Sequence, residues 1–376
     1  MLLLAAAAAL VCGCSDAPLA PAAPAWVKQA DVPGDVANVY GVFGATDDGH
    51  AKVLMAGDNE TGKAVILSYN DKSIVQEYES PYPNSTFEAV TQGMSWAVAA
   101  GSKGAGGRKP YLVEYDAEKN AWGEKNLPDL PYRTISGLSL DASGGNYYFL
   151  LSNHTREFYG KHAGTLALYN GDEVTLFDSL GPVTAVSKFI FDTPCIVAVE
   201  YVGDYVEPKT PGGWEPPHYQ DRGKVYISED SGASWTTELL PAAFGPRRVL
   251  WAEALVAVDN GVFLKVLFDD NAVGLVRRTG PVGHGQYELV FLSYQGPYFH
   301  DLRAVAFAGH DEPLGMFSDG IGVGEFTTIL YRAGDWFVEQ LPYPMSFVDV
   351  DRAQGGGYAA VARNDVFGGY ELLYHP

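Results

Sequence analysis

Residue combinations that would mark a catalytic centre are sparse in this chain. Its eight histidines are scattered, the nearest two (His154 and His162) eight residues apart, and no His-Glu-x-x-His zinc motif occurs. There is no Gly-x-Ser-x-Gly elbow, and the glycine-rich segments 104–107 and 320–324 are followed by no helix that would complete a phosphate loop. Acidic turns at Asp47-Asp48 and Asp269-Asp270 offer calcium-type oxygens but lack EF-hand spacing. Calcium is the one cofactor such turns would admit; otherwise no cofactor and no metal is expected. Cys195 lies in an apolar run, where a thiol behaves as a small hydrophobe rather than a nucleophile.

Binding chemistry is better represented. Segment 201–222 carries Tyr205, Trp214, Glu215, Tyr219 and Arg222, and segment 153–162 carries Arg156 and Tyr159. Arg247, His300 and Asp301 stand in shorter connections. Aromatic rings stack on apolar faces while charged groups fix hydroxyls or amides, so this set suits a glycan or protein ligand. Asp204, Glu207, Glu215 and Asp301 leave open a second possibility, a glycoside hydrolase or lyase acting through paired carboxylates. A third is a structural component of an envelope complex. A net charge of −21 repels phosphate backbones and excludes a nucleic-acid partner.

These loops need a scaffold, and the sequence points to an all-β one. No stretch keeps an i, i+3, i+4 apolar pattern over a helix length; short apolar strands alternate with Gly, Asp and Asn turns. Pro33, Pro81, Pro131, Pro182, Pro246, Pro297 and Pro342 mark a repeat with spacings of 48, 50, 51, 64, 51 and 45 residues. Units near fifty residues, each with room for four strands, predict a seven-bladed β-propeller. The long fourth spacing is accounted for by segment 201–222, which would join the second and third strands of its unit. Trp122, Trp235 and Trp336 stand late in their units, shortly before a junction, whereas the last unit runs out before supplying one. The missing piece occurs at the other end of the chain. Residues 26–31, led by Trp26, are expected to form the outer strand of the last blade by pairing with residues 370–374 and so close the ring.

Ahead of that strand, residues 2–11 form an apolar run of ten, the length of a signal-peptide core and too short to span a bilayer. It ends in Val11-Cys12-Gly13-Cys14, which resembles the bacterial lipoprotein box. The resemblance implies a signal peptide over 1–13 and a diacylglyceryl anchor on Cys14, followed over 14–25 by a Pro/Ala tether. In such lipoproteins Ser rather than Asp after the cysteine, here Ser15, directs the protein to the outer membrane. Residues 26–376 are then the propeller. Because Cys12 would leave with the signal and Cys14 would be modified, Cys195 has no disulfide partner.

Within the fourth unit, Ser228-Glu229-Asp230-Ser231-Gly232-Ala233-Ser234-Trp235 resembles the Asp-box, the bacterial neuraminidase repeat of sialidase-like propellers. Ser228 and Asp230 would bond backbone groups across a hairpin, Gly232 would take positive φ, and Trp235 would fold into the blade. The family places this turn between the third and fourth strands, away from its active sites. Sialidases also clamp a carboxylate with three arginines, the first in the opening blade. Here no arginine precedes Arg108, which removes the sialidase activity from the resemblance while leaving its fold. The combined expectation is a lipid-anchored propeller that binds a ligand or protein at the bacterial cell envelope, with catalysis the less favoured alternative.

Overall fold

A computed structural model describes residues 26–376 apart from 45–52, 71–72, 93–96, 105–107, 141–145, 154–163, 181–182, 187, 190–195, 201–222, 231, 259–260, 271, 294–299, 308–309, 312–315, 318, 326–327, 333–334, 340, 342–343, 354–356, 365 and 367. The described residues form strands and no helix. The chain opens with β1 (Val27–Asp31) and then folds as successive antiparallel meanders. The first three are β2 (Val36–Gly44), β3 (Val53–Asn59), β4 (Ala64–Tyr69), β5 (Ile74–Glu79); β6 (Thr86–Gln92), β7 (Ala97–Lys103), β8 (Lys109–Asp116), β9 (Ala121–Glu124); and β10 (Thr134–Leu140), β11 (Tyr147–Ser152), β12 (Thr165–Tyr169), β13 (Val174–Leu176).

The fourth sheet orders β14 (Val183–Val186), β16 (Ile196–Glu200), β17 (Lys224–Ser228) and β18 (Thr236–Leu239), with β15 (Lys188–Phe189) leaving it to join the next. That next sheet contains β19 (Ala243–Phe244), β20 (Arg247–Val258), β21 (Gly261–Phe268), β22 (Val273–Thr279) and β23 (Gln286–Ser293). The remaining strands are β24 (His300–Phe307), the small pair β25 (His310–Asp311) and β26 (Met316–Phe317), β27 (Asp319–Glu325), β28 (Thr328–Arg332), β29 (Asp335–Glu339), β30 (Met345–Arg352), β31 (Tyr358–Asn364) and β32 (Tyr370–His375). Apart from that small pair they make one eight-stranded sheet with β1, in which β27 meets β30 through the single register pair Glu325–Ser346. Among the described residues there are thus six sheets of four or more strands.

The first strands of the meanders stand side by side in the order β2, β6, β10, β14, β20, β24 and β30, and β30 returns to β2. Sheets arrayed around a closed circuit in this way are a β-propeller. Each of these strands carries a register shift against its neighbour. Such bulges add twist to the strand where the sheets converge.

Facing sheets bury both sides of the middle strands, which explains their continuous apolar runs. All six residues of β4 and of β11 are buried, whereas the outer β5 and β9 are largely exposed. The core accordingly lies in the seams. Leu54 and Ile66 pack with Phe87 and Tyr111 across one seam, and Leu112 packs with Phe149 and Tyr169 across the next.

The ends of the chain close the circuit. Val27 pairs with Tyr374 and Asp31 with Glu371, antiparallel, as expected from the sequence. β1 itself is largely exposed, and the residue before it is buried. Trp26 is 6% exposed, donates Nε1–H to Thr328 Oγ1 at 3.2 Å, and lies 5.1 Å from the Phe347 ring and 5.3 Å from the His375 ring.

A second closure runs between β30 and β2. The Val42 N–H donates to Asp349 Oδ2 at 3.0 Å and the Gly44 N–H to Asp351 Oδ2 at 3.2 Å. A Cβ on Gly44 would overlap the Arg352 carbonyl, so only glycine allows this approach. Trp235 and Trp336 serve other seams in the manner of Trp26, at 5.4 Å from Phe177 and 6.2 Å from Phe263.

Among the described residues, Arg278 and Glu238 form an ion pair buried within a seam. Arg278 donates through Nε and Nη2 to Glu238, whose carboxylate also accepts from the Tyr287 hydroxyl at 2.8 Å and the Gly283 N–H at 2.8 Å. Burial alone would raise the Glu238 carboxyl; the bonds from Arg278 and Tyr287 outweigh it and hold the group below its ordinary value.

Closure by Trp26 is testable. Trp26→Ala removes a buried indole and its hydrogen bond, and should cost about 3–5 kcal/mol in urea unfolding. Val27→Ala, at a 51% exposed position on the same strand, should change stability by less than about 0.5 kcal/mol. Equal effects of the two would refute the role assigned to Trp26.

Candidate ligand face

In an antiparallel meander the turn between strands two and three lies at the same end as the connection to the next sheet. One face of the wheel therefore gathers both sets of loops, and the turns between strands one and two or three and four gather on the other. Of the residues expected on the first face, Arg156, Tyr159, Tyr205, Trp214, Glu215, Tyr219 and Arg222 lie outside the described residues. So do Asp204 and Glu207 of the hydrolase alternative, and Cys14 with its leader and tether. His300 and Asp301 begin β24, His300 pairing in register with Glu325, but their side chains are likewise outside the description.

Arg247 is described, and it is engaged within its own sheet. Its Nε donates to Asp270 Oδ2 at 2.9 Å, and only 19% of its side chain is exposed. Of the two acidic turns that suggested calcium, Asp47-Asp48 lies outside the described residues, and the turn at Asp269-Asp270 uses oxygens on the chain. Asp269 accepts the Arg248 N–H at 3.1 Å and Asp270 accepts the Ala272 N–H at 3.1 Å. No group of three or more His, Cys, Asp or Glu is placed to hold a metal ion among the described residues.

Among the described residues, the face carries a polar network over β2 to β10 that the sequence does not single out. Asn59, 6% exposed, fixes the β3–β4 turn by accepting the Thr61 and Lys63 N–H groups, each at 3.1 Å, while its amide donates to Glu79 at 3.1 Å. Both ends of the Asn59 amide are thereby used. Next to it, Asp58 accepts from Asn38 Nδ2 at 2.9 Å. Burial pushes the Asp58 carboxyl above its ordinary value, and the Asn38 bond and the Arg108 charge pull against this without cancelling it. In the adjoining seam Glu88, only 1% exposed, accepts from the Thr134 hydroxyl at 2.6 Å. A carboxylate inside the apolar run of β6 signals a buried polar group there but not its partner.

Further out, Tyr82 is pinned by its backbone. Its N–H donates to Ser80 Oγ at 3.1 Å and its carbonyl accepts from Ser85 Oγ at 2.7 Å. The Tyr82 hydroxyl donates to Glu124 Oε2 at 2.9 Å, and Lys103 pairs with the same carboxylate. The Lys103 ammonium stands 4.4 Å from the Tyr82 ring centre and 5.0 Å from that of Tyr111.

The opposite face carries the turn from Ser228 to Trp235, between β17 and β18. Ser228 Oγ donates to Asp230 Oδ1 at 2.8 Å and accepts the Gly232 N–H at 2.7 Å. Asp230 accepts the Ser234 N–H at 2.8 Å and its hydroxyl at 2.5 Å, and these bonds lower the Asp230 carboxyl below its ordinary value. Gly232 has φ +81°, and a Cβ there would press on the Phe177 ring. Equivalent turns in earlier sheets use one acceptor each. Asp116 takes the Glu118 and Lys119 N–H groups, and Asn170 takes those of Asp172 and Glu173. These contacts are entirely local, which assigns the motif to hairpin geometry.

Asp58 gives a prediction with a definite sign. A carboxyl raised on folding binds its proton more tightly in the native state, so stability is lost as pH rises from the unfolded value, near 3.8, through the native one. Asp58→Asn should therefore be more stable than the wild type at neutral pH, with the advantage vanishing below about pH 4. A pH-independent difference in urea midpoints would remove the explanation.

No family model matches the chain, and no curated protein matches it. Among 635 chains of solved structures that do match, one titled "YCF48 bound to D1 peptide" aligns with a TM-score of 0.59 at 12% identity. The alignment covers 96% of this chain and 98% of that one. Likeness at this identity establishes a shared architecture over nearly the whole length: the chain is a β-propeller, similar to one that in its solved form holds a peptide.

Proposed function

We propose that this chain is a binding module for a protein segment, held at the bacterial cell envelope by a lipid on Cys14 and a tether over residues 14–25. The supporting observation is the closed wheel itself. It gathers the connections between sheets on one face, and a solved propeller similar to it over nearly its full length is bound to a peptide. Rigid scaffolds with loops on one end let binding residues vary without disturbing the core.

The same reading takes the wheel as seven-bladed. Dividing the eight-stranded sheet at the single Glu325–Ser346 pair leaves β24-β27-β28-β29 and β30-β31-β32-β1, each a four-stranded unit like the others. The turn at Ser228–Trp235 is then an Asp-box of one blade, with a structural task.

Three sets of measurements test the proposal. The full-length chain, probed on arrays of peptides and of glycans, should retain peptides; retention of glycans alone would transfer the ligand class. Trp214→Ala with Tyr219→Ala should weaken the retained peptide by roughly 2 kcal/mol or more if the 201–222 segment anchors it. In a bacterial host, Cys14→Ser should abolish fatty-acid labelling and move the protein from the membrane fraction to the soluble one. Unchanged fractionation would remove the lipid anchor from the proposal.

A further inference from the structure

On a chain with net charge −21, Lys103 stands in an aromatic and acidic enclosure open to solvent. Tyr82 and Tyr111 meet edge to face at 5.7 Å, the Lys103 ammonium lies over both rings, and Glu124 closes the side. Tyr111 is buried and further fixed by a 2.6 Å hydroxyl contact with Tyr78. Tyr82, by contrast, is 36% exposed although its loop is pinned on both sides by Ser80 and Ser85. An exposed ring on a preorganised loop is built for contact rather than for burial.

Such an enclosure has the chemistry of a cation receptor: π-faces, a carboxylate, and a hydroxyl that orients the carboxylate. Its present occupant is weakly committed. The Lys103 and Glu124 side chains are 22% and 29% exposed, so water reaches the ammonium–carboxylate pair and weakens its hold. A guanidinium stacks on rings and grips a carboxylate with two N–H groups, which an ammonium cannot do. The surrounding negative field would also concentrate a basic partner near the surface.

We propose that the Tyr82–Tyr111–Glu124 enclosure is a docking point for an arginine of a basic protein segment, and that Lys103 is its internal placeholder. This rests on the protein-binding reading above and specifies the partner's charge. The partner's guanidinium displaces the Lys103 ammonium from Glu124 and the Tyr82 ring, and Lys103 turns out to solvent.

The test measures binding of a fluorescein-labelled arginine–glycine repeat peptide to the full chain by anisotropy. Lys103→Gln empties the enclosure. Lys63→Gln makes the same change of charge at a rim lysine that pairs with Glu79, and leaves the enclosure filled. Lys103→Gln should tighten binding about threefold to tenfold beyond Lys63→Gln. Adding Tyr82→Ala or Glu124→Gln to Lys103→Gln should reverse the gain, with melting curves confirming that each variant is folded; Tyr82→Leu, which keeps apolar volume but has no π-face, takes its place if Tyr82→Ala does not fold. Equal tightening by the two lysine variants would show that charge alone binds the peptide and would overturn the proposal. Peptides captured on the array with affinities indifferent to all four positions would overturn it while leaving the binding module standing. Failure of both the array and the arginine peptide would remove both.

Discussion

The fold depends on joining its two ends. A wheel of face-to-face sheets has no element that is stable by itself, because every sheet shields its neighbours and each seam holds part of the core. The final sheet lacks an outer strand until Val27–Asp31 pairs with β32, and the core of the β30–β2 seam joins residues from both ends of the chain. Partners such as Val27 and Tyr374 lie at opposite ends of the chain, so these contacts carry the largest loop-closure cost in the molecule. Trp26 offsets that cost with a buried ring, and Asp349 and Asp351 offset it with hydrogen bonds to the backbone of β2. Three other seams repeat parts of this solution with Trp235, Trp336 and the Glu238–Arg278 pair.

The closure was legible in the sequence because it leaves a gap in a pattern: a late tryptophan in earlier units, missing from the last and present at Trp26. The registers across the seams were not legible. Asp349 sits in β30 among residues that read as an ordinary apolar strand, and its partner, the Val42 N–H, lies 307 positions away. Glu88 and Asp58 are similar. Periodicity reports that a position is buried, but a side chain bonding across a seam has a partner set by the assembly of two sheets, which no local spacing encodes. The turns show the opposite case. Ser228, Asp230 and Gly232 bond within a few residues of themselves, so their geometry follows from the motif. Asn170 performs the same capping with less sequence context and escaped notice for that reason.

Charge is used locally more than its total suggests. Lys63, Lys103, Lys109, Lys125 and Arg247 each pair with a carboxylate from a neighbouring turn or strand. With so many of its described cations neutralised at short range, the protein presents its excess of acid to the surroundings. That excess governs the approach of a partner, whereas affinity must come from loops where rings and polar groups converge. Arg247 illustrates the difference: its residue type suits a ligand, but Asp270 already holds it.

The direction of β1 adds a constraint on orientation. Asp31 runs into the connection toward β2, which lies on the face that gathers the inter-sheet loops, so Trp26 is at the opposite end of the strand. A chain entering the wheel at Trp26 therefore arrives on the side of the Ser228–Trp235 turn and at the outer rim, where β1 is the last strand of its sheet. Under the anchoring proposed for Cys14, this entry point turns the hairpin-turn face toward the membrane and the loop face away from it. A partner would then be met by the 201–222 segment and the Tyr82 enclosure without crowding from the lipid surface. The strand that would receive the proposed tether is also the one that pairs with β32 to close the wheel.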